Sequence, residues 1–180
     1  MSTALTFKRI ITTSLILLSS STLAETDYQH LGKPAHDLSA QPQWNLSISP
    51  DGTGLPKGKG TAAQGKKIFA RQCAVCHGPE GIGASADPLM GEVGSLTSEY
   101  PEKTVNSYWP FATTLFDYIR RAMPTNAPFS LTADEVYALS AYILSKDAII
   151  PAEMELNDEN LPQVTMPNQN EFVSLYPEQH

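Results

Sequence analysis

Cys73-Ala74-Val75-Cys76-His77 is the stretch that decides how this 180-residue chain folds. It holds both cysteines of the sequence, with a histidine directly behind the second. Thiols at this spacing sit about one helical turn apart, so each can add to one vinyl group of a single haem. The adjacent imidazole then stands beneath the porphyrin as the proximal iron ligand. Two other chemistries use the same spacing. A dithiol redox pair expects a βαβ context, which the surrounding pattern lacks. A zinc site needs further Cys or His at ligand spacing, and His30, His36 and His180 are isolated. The motif therefore predicts one covalent haem c, attached through Cys73 and Cys76 and ligated by His77, with no thiol left over.

Helical periodicity surrounds the motif on both sides. A first helix is expected over about residues 61–73, where Gly65, Ile68, Phe69 and Gln72 recur at helical spacing. A second is expected to begin near Thr114, with Thr114 and Asp117 as a capping box, and to stop before Pro124. A third carries the box Thr132/Glu135 ahead of Val136, Leu139, Tyr142 and Ile143. About 40 residues with scattered Gly and Pro separate the first two helices. A loop that long is unusual in a compact domain unless something other than protein fills the core, and a haem does so. The turn Gly78-Pro79-Glu80-Gly81-Ile82-Gly83 is expected to let backbone pass close to the porphyrin edge.

The sixth iron ligand determines what such a site can do. Met123, 46 residues after His77 and followed by Pro124, is the candidate. A thioether raises the potential and fills the position that dioxygen or peroxide would need. Met90 is the next choice but lies in a Gly/Pro-rich loop, and Met154 and Met166 lie in the C-terminal tail. Trp109 could donate its indole N–H to a propionate or pack in the core. Arg120 and Arg121 could pair with propionates or a partner carboxylate, or form a solvated face at a helix C-terminus.

Outside this region the chain divides by composition. Lys8 and Arg9, an apolar run over residues 10–18 and the exit Thr22-Leu23-Ala24 have the form of a secretory leader cleaved after about Ala24. The run is too short to span a bilayer. Four segments result: a leader (1–24), an arm (25–60), a haem domain (61–146) and a tail (147–180). The formal charge of −7 becomes −9 on export, because Lys8 and Arg9 leave and no acid does. That balance argues against nucleic acid as a partner, and it predicts a basic docking face on the protein that receives this chain.

The pattern Gly65-Lys66-Lys67-Ile68-Phe69, the haem motif with Gly78, a Met-Pro and a last helix bearing Tyr142 together resemble class I cytochrome c. The resemblance implies a mainly α fold, helices wrapped around one covalent haem, here with long irregular N- and C-terminal extensions. It also implies that the first and last helices cross with Gly65 admitting Tyr142 or Leu139. Pro88, eleven residues past His77, would take the place of a proline whose carbonyl accepts the imidazole N–H. A narrower resemblance, carried by residues 107–124 and by Pro50-Asp51-Gly52-Thr53-Gly54-Leu55-Pro56, is to the cytochrome subunits of periplasmic sulfite dehydrogenase and of Sox-system sulfur dehydrogenase. It implies a periplasmic electron-transfer subunit, not catalytic alone. Its donor would be a molybdenum-containing dehydrogenase chain and its acceptor a downstream cytochrome or oxidase. The alternative from a different class is a haem enzyme or gas sensor with an open or displaceable sixth position.

Overall fold

The computed structural model describes residues 46–173 and residue 175. The expected leader, its cleavage point and the first part of the arm lie outside the described residues. In chain order the elements are strand β1 (Lys59–Thr61), helices α1 (Ala62–Gln72), α2 (Ala74–His77), α3 (Val105–Tyr108), α4 (Ala112–Ala122) and α5 (Ala133–Lys146), and strand β2 (Glu155–Asn157). Short 3-10 turns occupy Ser95–Thr97 and Leu161–Gln163. Helix dominates, as the mainly α reading requires. None of the helices among the described residues is long and apolar enough to cross a membrane.

Helix starts follow their caps. Thr132 caps α5, its N–H donating to Glu135 Oε2 at 2.9 Å while its hydroxyl takes the Glu135 N–H. This is the box expected from sequence. Thr61 caps α1 in the same way through Gln64, a second box that the sequence reading passed over. The Thr114/Asp117 box does not form. Helix α4 begins two residues earlier, with Phe111 as an N-cap that has no side-chain hydrogen bond. Asp117 instead pairs with Arg121 one turn further on, and that ion pair removes it from capping.

α1 and α5 pack against each other most closely. A Cβ on Gly65 would lie closer than 3.0 Å to the Ala138 carbonyl and to Tyr142 Cβ. Gly65 is therefore required by backbone-to-backbone approach, and the Tyr142 ring rests on Phe69, centroids 5.2 Å apart. This refines the expectation that the glycine would admit an aromatic ring. Leu139, the other residue considered, is buried beside the crossing. Fully burying each Leu, Ile or Val of α5 stabilises the fold by about 1.5–3 kcal/mol relative to exposure.

Arm and tail meet on this crossing. β1 and β2 pair antiparallel with Gly60 opposite Leu156, and the sheet lies on α5 with Leu156 buried. Tyr137 donates its hydroxyl to the Pro56 carbonyl at 2.9 Å, and Lys57 pairs with Asp158 at 2.5 Å. Further along the tail, Ile150, Leu161 and Met166 are buried, Thr165 bridges to Phe111, and Asn168 donates to the Tyr108 carbonyl at 2.8 Å. Within the described residues the extensions are packed structure with a two-stranded sheet in it, rather than wholly irregular.

Candidate haem-binding site

One cavity of about 900 Å³ opens beside the Cys-Ala-Val-Cys-His turn. That volume lies at the upper end of the range for enclosed ligand sites, roughly 300–1,000 Å³. Cys73, Cys76 and His77 form one wall. Leu115, Ile119 and Met123 come from α4 and its C-terminus, Leu139 and Ile143 from α5, and Pro88, Leu89, Val105 and Trp109 from the long connection. The lining is mostly apolar, as a site for a flat hydrophobic disc must be.

Local geometry prepares each of the three motif residues. Cys73 ends α1, with its N–H bonded to the Phe69 carbonyl, and α2 then turns Cys76 and His77 back toward the same space. Neither cysteine is in a disulfide. Burial and the neighbouring Cys76 push the Cys73 thiol up to about 11. A redox dithiol needs the opposite shift, toward the thiolate, so the environment argues against that reading. His77 Nδ1 lies 2.8 Å from the Asp87 carbonyl. A carbonyl can only accept, so Nδ1 carries the proton and Nε2 keeps its lone pair for a metal.

This contact corrects the role given to Pro88. Pro88 lines the cavity, but the acceptor is the carbonyl of the residue before it. A proline biases its predecessor toward extended backbone, so Pro88 acts by holding the Asp87 peptide in place. Trp109 lines the cavity, with its ring edge-on to Tyr118 at 5.6 Å.

Of the four methionines considered as ligand, Met123 lines the cavity and Met90, Met154 and Met166 do not. Met90 is 2% exposed, and its sulfur fills the space where a Gly81 Cβ would stand. Gly81 also has a φ of +73°, a backbone conformation that favours glycine. Met123 caps α4, its N–H on the Ile119 carbonyl at 3.0 Å.

Arg120 and Arg121 are not among the lining residues, and Arg121 is occupied by Asp117. The cations that do line the cavity are Arg71 and Lys103, neither of which sequence reasoning singled out. Lys103 lies over the Tyr108 ring, 5.2 Å from its centroid. For Arg71 a signal was available, since it stands two residues before Cys73 near the end of a helix.

Two free thiols, an imidazole with a free Nε2 and an apolar slot of this size fit haem c and its covalent attachment. Residues 62–147 match the model of the family described as cytochrome c. The fold is also similar to a chain of the sulfane dehydrogenase SoxCD from Paracoccus pantotrophus, with a TM-score of 0.72 and 37% identity, covering 82% of this chain and 72% of that one. The protein belongs to the cytochrome c family, as a class I c-type cytochrome related to the cytochromes of sulfur dehydrogenases. It carries haem c through Cys73 and Cys76. A thiosulfate dehydrogenase of Stutzerimonas stutzeri (strain A1501) is 28% identical over 159 residues, 79% of this chain. The chain spans about half the length of that relative, 48%.

Proposed function

We propose that this chain is an exported electron-transfer subunit whose iron is held between His77 and Met123. It would work in the periplasm, taking electrons from a molybdenum-containing dehydrogenase chain that oxidises sulfite or another reduced sulfur compound. It would pass them to a downstream cytochrome or oxidase. The similarity to SoxCD and to a thiosulfate dehydrogenase supports a sulfur-oxidising partner. The leader-like residues 1–24 support export.

The observation that carries the reading is the position of Met123. Among the described residues it is the methionine that shares the cavity with His77, so its thioether would be available as a second iron ligand. Bound haem supplies a one-electron ferric/ferrous couple. The chain's own residues then set the conditions for transfer. The Asp87 carbonyl fixes the orientation and tautomer of the His77 ring. Leu115, Ile119, Leu139 and Ile143 keep water from the interior face of the slot and so limit reorganisation on each change of charge.

Replacing Met123 with Ala is the test. The variant should retain covalent haem, lose the Met–iron charge-transfer absorption, fall in midpoint potential and bind carbon monoxide in the ferrous form. Wild-type protein that already binds carbon monoxide, or a Met123→Ala protein with an unchanged spectrum and potential, would overturn the assignment. The first of these results would favour the haem enzyme or gas sensor.

A further inference from the structure

We propose that Asp147, at the C-terminus of α5, is a positioning residue for the His77 imidazole. Together with Asn106 it anchors the stretch of the long connection whose Asp87 carbonyl holds that ring. The inference rests on the reading that His77 ligates the iron, and it adds what keeps the ring in place. Between α2 and α3 the chain forms only the three-residue turn Ser95–Thr97, yet Ala86, Asp87, Pro88 and Leu89 line the cavity. The Leu89 and Met90 N–H groups share the Gly81 carbonyl, within the same connection, and the Ala86 N–H donates to the Cys76 carbonyl. Beyond the haem motif, two hydrogen bonds among the described residues tie residues 86–91 to other elements. The Val105 N–H donates to the Leu89 carbonyl at 3.1 Å, and the Gly91 N–H donates to Asp147 Oδ2 at 3.1 Å.

The same carboxylate oxygen takes a second donor. Asn106 Nδ2 lies 2.7 Å from Asp147 Oδ2 and 2.9 Å from the Ile143 carbonyl. That carbonyl is among those at the end of α5 that lack a partner inside the helix. The connection, α3 and α5 therefore meet at one oxygen. This node adjoins the cavity wall, since Leu89, Val105 and Ile143 all line it. Two costs indicate that the side chains serve this contact. A carboxylate at a helix C-terminus is opposed by the macrodipole, which favours a cation there. Asn106 is buried and its Oδ1 has no partner among the described residues, a penalty that an apolar side chain of the same size avoids. Turning the amide over would set that oxygen against two acceptors, so Nδ2 must face Asp147 and Ile143. What is gained is a charge-assisted anchor on a stretch that has little regular structure of its own. Gly91 fits closely beside it, for a Cβ there would lie 2.8 Å from Thr104 Cγ2. Asp147 thus acts on the imidazole through Gly91 and the backbone from Leu89 to Asp87.

The test follows the His77 ring by NMR in the intact ferrous holoprotein, where the porphyrin ring current shifts its signals. The rate at which the Nδ1 proton exchanges with solvent reports local opening of the Asp87 contact, and denaturant titration reports global stability. Asp147→Ala should speed that exchange about tenfold or more, the factor expected for losing a hydrogen bond to a charged group. Asn106→Leu should speed it as well. Asp147→Asn keeps an acceptor for both donors and should fall between wild type and Asp147→Ala. Leu156→Ala empties a buried site in β2. It should lower global stability at least as much and leave the ring proton nearly unaltered. Should Asp147→Ala fail to fold, the intermediate rate of Asp147→Asn decides. A ring proton unchanged by the Asp147 substitutions, or one that Leu156→Ala speeds equally, would overturn the proposal. A ring-current-shifted His77 in the wild type alongside either failure spares the iron-ligand reading, whereas an unshifted ring removes both.

Discussion

Helix α1 has two sides that are finished by different materials. Toward α5 the chain closes on itself: Gly65 meets the Ala138 carbonyl, Phe69 meets Tyr142, and the β1–β2 sheet covers α5. Beyond Gln72 the polypeptide stops short and leaves a slot of about 900 Å³. The first region is complete in the amino-acid sequence. The second is a half-core whose other half is the porphyrin. The protein therefore stores its fold in one seam and its function in one gap, and α1 joins the two.

The largest effect should come from leaving the gap unfilled. Without haem its mostly apolar lining faces water, and that exposure costs stability. A Cys73→Ala/Cys76→Ala chain purified without haem should show no cooperative melting transition by circular dichroism. A sharp, native-like transition in that apoprotein would mean the walls collapse onto each other and the comparison fails. The seam can be broken by a single methyl group. Gly65→Ala raises helix propensity by about 1 kcal/mol, yet its Cβ would fall within 3.0 Å of the Ala138 carbonyl. Pushing the helices apart should lower stability by about 3 kcal/mol in denaturant titration, despite that gain. A stabilised variant would show that the crossing tolerates separation.

These two regions were not equally legible in the sequence. The haem motif and the Thr132/Glu135 cap are local patterns, with every participant within five residues, and both could be read directly. The Asp87 contact was nearly legible, missed by one position because proline's effect falls on the preceding peptide. The start of α4 misled because Thr114 and Asp117 have cap spacing while Asp117 is taken by Arg121. The β1–β2 pairing could not have been found. Each strand is three residues long, too short to show alternation, and its partner is far off in sequence.

The smallest effect concerns the surface ties at the margins of the two regions. Lys57–Asp158 ties arm to tail over the seam, and Glu80–Lys146 ties the loop behind the haem motif to the end of α5. In each pair the lysine's hydrogen bond lowers the carboxylate below its ordinary value, 3.8 for Asp158 and 4.5 for Glu80. A depressed carboxylate contributes stability that is fully present above its unfolded value and is lost as pH falls through the folded one. Melting temperature should therefore hold from neutral pH down to about pH 5 and decline as the pH falls further. Asp158→Asn and Glu80→Gln should each flatten part of that decline, and part of the alkaline one as well, because the same contact raises the partner lysine. Both pairs are exposed, so each variant should move the melting temperature at pH 7 by no more than about 2 °C. If Asp158→Asn alone removed most of the acid limb, the seam would depend on its surface tie and not on the buried contact at Gly65. The contrast between a seam closed by packing and a gap closed by cofactor would then need a third term.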